Sequence, residues 1–186
     1  FLLNNFLKEN YNSRKSDLED SVENFLNKKV YLGDYSGIRF LGFSLGNSKI
    51  IDKKNIGSGI TAKNVYVGIM PFRSFLKQKW IVKISPQEAA INIDRDFFKR
   101  DKSYKDDRIT KKSKSKYELN FYLNKYSDLK FNNAGLKTKV KGNVIYNSRN
   151  RQIIANVKSN FDEKGFLAFK FNKKLNQDFL KLDLFS

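Results

Sequence analysis

The chain of 186 residues contains no cysteine and no histidine. Zinc, haem and iron–sulfur centres lose their usual ligands, as do Ser-His-Asp and Cys-His forms of nucleophilic catalysis. The missing thiols do not fix a compartment, because reducing and oxidising environments both tolerate their absence. No apolar run approaches the ~20 residues needed to span a bilayer. Proline occurs twice, as Pro71 and Pro86, and each falls where a strand-like run stops. The sequence does not begin with Met and reads as a piece of something longer. No catalytic residue, metal ligand or cofactor site emerges from it, and an enzyme is not expected. Asp94 and Asp96 sit beside a charged stretch, where solvation accounts for them.

What is present is charge and alternation. The formal net charge is +18, carried far more by Lys than by Arg, beside abundant Asn. Lys and Asn codons are A-rich, so this usage tracks genome composition as readily as selection for phosphate. Arg is the side chain suited to bidentate phosphate and guanine contacts. Nucleic acid is therefore not the expected partner. A Lys-rich surface suits an anionic membrane as well, at about 1 kcal/mol per well-placed Lys. The apolar fraction of 40% and the aromatic fraction of 15% are enough for a folded core.

Ser16-Asp17-Leu18-Glu19 fits a capping box, and Leu18, Val22, Phe25 and Leu26 recur at helical spacing as one apolar stripe. These features predict an amphipathic helix over Ser16–Lys29, serving as an end-plug for whatever follows. The opening Phe1–Leu7 reads as the last turns of a membrane helix or as a frayed start to this one. Period-two alternation takes over from Val30. Leu41, Phe43 and Leu45 share one face, then Val65, Val67 and Ile69, then Val82 and Ile84, then Ala89, Ile91 and Ile93. A short turn, helical in part, is expected over Phe72–Leu76.

Lys99–Lys116 is dense in Lys, Arg, Asp and Ser, and reads as a solvated loop between two sheet segments. Beyond it the alternation is cleanest. Tyr117, Leu119, Phe121 and Leu123 oppose Glu118, Asn120, Tyr122 and Asn124. Val140, Val144 and Tyr146 oppose Lys139, Lys141 and Asn143, and further runs end in Leu167, Phe169 and Phe171 and in Leu180, Leu182 and Leu184. Turn residues separate the runs. The expected fold is mainly β: an amphipathic helix capping a curled antiparallel meander. Its parts are a juxtamembrane segment and helix (1–29), a first sheet segment (30–98), the charged loop (99–116) and a second sheet segment (117–186).

Asn27-Lys28-Lys29-Val30, followed by Tyr31-Leu32-Gly33-Asp34-Tyr35-Ser36-Gly37, leads into Phe40-Leu41-Gly42-Phe43-Ser44-Leu45-Gly46-Asn47-Ser48-Lys49-Ile50. This order of helix, "hydrophobic-Gly" strand and Gly-containing strand ending in Ser-Lys-Ile resembles the start of the TamB family, within the AsmA-like envelope proteins. The likeness leans toward cyanobacterial and chloroplast-envelope members. It continues more loosely through Thr61–Leu76 and Trp80–Asp94, and by pattern alone through 117–186, as in Val140-Lys141-Gly142-Asn143-Val144.

The resemblance implies an inner-membrane anchor upstream of Phe1 and an open, taco-like β-groove on the periplasmic side. It implies carriage of phospholipid or another acyl lipid between inner and outer membranes, with the inner membrane as partner. Alternatively, it implies a scaffold for outer-membrane protein assembly with an Omp85-type barrel. On this reading Leu119, Phe121, Leu123, Val140, Val144, Leu167, Phe169 and Phe171 line the groove. Read without the resemblance, the same residues would fill an ordinary closed core.

Overall fold

Period-two alternation sends every second side chain to the same side of an extended chain, leaving one apolar surface to be hidden. In the computed structural model the alternating segments form thirteen strands of a single sheet. Described are residues 2–94, 97, 116–132, 135–149, 152–160, 165–174 and 181–185.

The first eight strands are four bent lengths of chain. β1 (Lys29–Tyr31) and β2 (Tyr35–Arg39) make the first, β3 (Gly42–Leu45) and β4 (Ser48–Ile51) the second. β5 (Gly59–Lys63) and β6 (Val65–Ile69) make the third. A short helix, α2 (Pro71–Lys77), leads to the fourth, β7 (Trp80–Ser85) with β8 (Glu88–Ile93). Each length pairs with the next on both sides of its bend. The unbroken β9 (Tyr117–Phe131) then spans both halves, with Tyr117–Phe121 beside β7 and Asp128–Phe131 beside β8. β10 (Leu136–Asn147), β11 (Gln152–Asn160), β12 (Phe166–Lys174) and β13 (Lys181–Phe185) extend the series. Nine lengths of chain thus lie side by side in chain order.

One departure from the expected antiparallel meander is the neighbourhood of β9, which runs parallel to β7 and β8. A parallel neighbour requires a return connection of a dozen residues or more. The charged stretch 99–116 contributes to that return; apart from Lys116 it lies outside the described residues.

The bends line up across the sheet because neighbouring backbones touch there. Gly46 N–H donates to the Asp34 carbonyl (2.8 Å), and Gln87 N–H to the Lys63 carbonyl (3.0 Å). A Cβ on Gly33 would collide with the Gly46 backbone, which explains glycine at this crossing. In the third length Asn64 turns with φ 48° and its amide reaches Gln87 (2.8 Å). Farther along, β9 and β10 shift register between Val140 and Gly142. Gly142 has φ 152°, and a Cβ there would meet the Asn156 carbonyl.

The sheet curls into an open half-barrel. No pairing joins its two edges among the described residues.

The first edge is occupied by a helix. α1 runs Leu2–Leu26, longer than the expected Ser16–Lys29. Ser16 therefore sits mid-helix, where a capping box has no role, and Asn27 (φ 53°) ends the helix. Side chains spaced four apart face the edge. Glu23 accepts from Val30 N–H (2.9 Å) and Glu19 from Leu32 N–H (2.7 Å). Lys15 pairs with Asp34 (2.8 Å), and the Tyr11 hydroxyl donates to the Gly33 carbonyl (2.6 Å). Asn4 accepts from Ile38 N–H (3.2 Å). The helix thus offers acceptors to an edge that would otherwise invite another strand.

Two outcomes follow from these contacts. Glu19→Ala with Glu23→Ala removes two acceptors, at about 1–3 kcal/mol for each orphaned donor, and should produce concentration-dependent association in sedimentation velocity. A monomer of unchanged stability would contradict the edge-blocking role. Gly142→Ala should cost on the order of 1–3 kcal/mol in urea unfolding, from a strained φ and a backbone clash.

Candidate functional site

Register decides which alternating residues share a face. From Ile84 the pairing leads to Phe121, Val144, Ala155, Phe171 and Leu182. In the other direction it leads to Val67, Phe43 and Ile38. One apolar row therefore crosses all nine lengths. A parallel row runs Val82, Leu119, Tyr146 and Ile153, and another Leu123, Gly142, Val157, Phe169 and Leu184. Beyond the bends the same face carries Val30, Ile50, Ile60, Ile91 and Leu129.

Leu119, Phe121, Leu123, Val140, Val144, Leu167, Phe169 and Phe171 all fall on this face by register. The side chains of Phe169 and Phe171 lie outside the described ones, and backbone pairing alone places them. Val140 is 3% exposed and Phe121 40%; Leu119, Leu123, Val144 and Leu167 are half-buried. Next to Val140, Ser127 and Ser159 are also buried, whereas Lys139 and Lys158 on the reverse are exposed. The sheet curls toward its apolar side there. The reverse is polar, with Glu118, Asn120, Lys139, Asn143 and Asn156, and it interposes the paired Ile145 and Ile154.

At the first end α1 reaches over this face with Tyr11. Its ring is buried against Leu45 and Val65, 5.8 Å from the Phe43 ring and 6.5 Å from that of Tyr35. Burial, then the charges of Glu19 and Asp34, push the Tyr11 hydroxyl up to about 12. The expected plug stripe is placed differently. Leu18 is 45% exposed, Val22 and Leu26 are half-buried, and the Phe25 side chain lies outside the described residues. Sequence reasoning missed Tyr11 because it stands in a polar series, Tyr11-Lys15-Glu19-Glu23. That four-residue spacing was the available signal.

The reverse face holds a buried ionic cluster under α2. Glu118, 2% exposed, pairs with Lys79 and more distantly with Lys77 (3.5 Å). Asn120 donates to it (3.1 Å) while its own oxygen has no hydrogen-bond partner among the described residues. Burial pushes the Glu118 carboxyl up, but hydrogen bonds from Lys79 and Asn120 and the two ammonium charges outweigh it, leaving it below the ordinary range. Asp52 behaves alike. Burial opposes ionisation, and the bonds from Lys28 (2.6 Å) and from the backbone N–H groups of Lys54 and Asn55 prevail. A carboxylate held ionised in this way is a poor proton shuttle near neutrality. An open pocket of about 280 Å³ near the bends is lined by residues including Arg39, Ser44, Asn64, Tyr66, Ser85 and Asn124, without a carboxylate. Among the described residues no group of three or more acidic side chains could hold a metal ion.

No family model, curated protein or solved structure matches the chain. No helix among the described residues is long and apolar enough to cross a membrane.

The carboxylates give a signed pH dependence. Glu118 and Asp52 are held below their ordinary values, so in acid the unfolded chain binds more protons than the folded one. Their stabilisation is present above the unfolded carboxylate range, near pH 4–5, and is lost as pH falls through the lower folded values. Glu118→Gln should flatten the fall of melting temperature between pH 7 and pH 3. An acid limb as steep as that of the parent chain would show that the cluster contributes no such term.

Proposed function

We propose that this chain is a lipid-carrying β-groove, the membrane-proximal part of a TamB-like, AsmA-like envelope protein that moves acyl lipid between inner and outer membranes from the periplasmic side. One observation carries this reading: an apolar face crosses nine lengths of chain, and of the two described helices α1 packs over it, at one end. The helix-then-strand order at residues 18–51 and its likeness to that family support it too.

The energetics suit such a task. Moving an acyl chain of about sixteen carbons from bilayer to water costs on the order of 12 kcal/mol, at ~0.8 kcal/mol per CH₂. An apolar floor replaces that barrier with a shallow path. Spaced at ~4.8 Å, nine lengths extend about 38 Å, more than the ~15 Å thickness of one leaflet's chains. Head groups stay in solvent along the open side, so no charged recognition site is needed. Half-buried residues such as Leu119, Leu123 and Val144 gain contact when a chain lies on them.

Native mass spectrometry of the purified chain should find acyl lipid bound. Phe121→Asp puts a carboxylate into the floor at a position already 40% exposed. Occupancy should fall at least roughly tenfold, since burying an unpaired charge costs several kcal/mol. A lipid-free wild-type chain that also takes up no added phospholipid would sink the proposal.

A further inference from the structure

Among the described residues, exposed large apolar side chains gather at one end of the sheet. Of sixteen exposed large apolar side chains among the described residues, eleven lie at the α2 end. Leu2, Leu3 and Phe6 belong to the first turns of α1, and Ile38, Phe40 and Leu41 to the β2–β3 hairpin. Ile69, α2 and the start of β7 supply the rest: Phe72 is 74% exposed, Phe75 82% and Trp80 61%. At the opposite end the loop from Asp52 to Ser58 offers Ile56 alone.

These segments are held together by hydrogen bonds. Asn4 ties the start of α1 to Tyr35 (2.9 Å) and Ile38. Ile69 N–H donates to the Leu41 carbonyl (2.9 Å), and the Tyr66 hydroxyl to that of Phe40 (2.8 Å). Met70 N–H donates to the Ile81 carbonyl (2.9 Å), which fixes the start of α2 against β7. The described charge around them is mostly positive. Lys8, Arg39, Arg73, Lys116 and Arg149 stand at this end, while the acid there includes Glu9 and a Glu118 already engaged by Lys77 and Lys79.

We propose that the α2 end is a docking surface for an anionic lipid bilayer. Phe72, Phe75, Leu76 and Trp80 enter the interface, and the basic side chains meet lipid phosphates. Aromatic and leucine side chains flanked by Lys and Arg are what membrane–water interfaces take up. The contributing groups are a helix start, a hairpin tip and a seven-residue helix, all projecting at strand ends. Such projections need no complementary pocket in a fluid bilayer, which favours lipid over a protein partner. The chain's +18 charge agrees in sign. The inference goes beyond lipid carriage and stands without it, since a chain that carried nothing could still dock by this end.

Trp80 is the only tryptophan in the chain, so its emission reports on this end alone. With vesicles of equal parts phosphatidylcholine and phosphatidylglycerol, emission should shift to the blue and be quenched by brominated acyl chains. Neutral phosphatidylcholine vesicles should bind at least roughly tenfold more weakly, and added salt should weaken the anionic binding. Phe72→Asp with Phe75→Asp alters two exposed positions and should abolish the shift while far-ultraviolet circular dichroism stays unchanged. Unaltered emission at excess anionic lipid, from a folded chain, overturns the proposal. So does a blue shift that follows protein concentration without lipid, which would assign the surface to contact between copies. Bound lipid in the mass spectrum is a separate readout, so docking and carriage can fail independently.

Discussion

Everything in this fold depends on keeping one face of a continuous sheet apolar from the first strand to the last. A slip of one residue in any pairing would turn a whole row of side chains to the other side. The register therefore tolerates only changes that preserve parity. Between Val140 and Gly142 the β9 partner advances from Ser127 to Leu123. That shift moves two residues past four, and Leu123 and Val144 stay on the same side as Val140. The sharp bends obey the same constraint: Leu45 before Gly46 and Ile50 after it both remain on the apolar side.

Stability of such a sheet cannot come from a sealed interior. The buried apolar residues are scattered, from Val30 and Leu45 to Ile81 and Val140. What holds the chain is strand pairing, side-by-side contact along the apolar rows and management of the exposed edge. α1 serves the last task with Glu19, Glu23 and Asn4, and covers one end of the apolar face with Tyr11. The many lysines serve the reverse face, where Lys139 and Lys158 keep it wet. The same charge gives an anionic surface something to attract.

Much of this was legible because alternation is a local signal. The runs at Tyr117–Leu123 and Val140–Tyr146 became strands, with the expected groove residues on one face. Non-local features were not legible. The bends at Gly33 and Gly46 exist because two backbones meet across a strand pair, which a linear reading cannot see. The parallel placement of β9 depends on a return connection whose path has no sequence signature. The helix was misjudged in length because Ser16-Asp17-Leu18-Glu19 mimics a helix start; Glu19 instead serves the edge of β1 and β2. The Phe72–Leu76 turn was expected as a connector, and its exposure emerged only once the strand ends were gathered together.

Adjacent residues on opposite faces offer the sharpest discrimination. A photo-crosslinking amino acid placed at Phe121 or at Tyr122, one residue apart, should capture acyl lipid in living cells from position 121 and not from position 122. Equal capture at both positions, or none at either from a folded protein, would contradict an apolar face left open for a lipid chain.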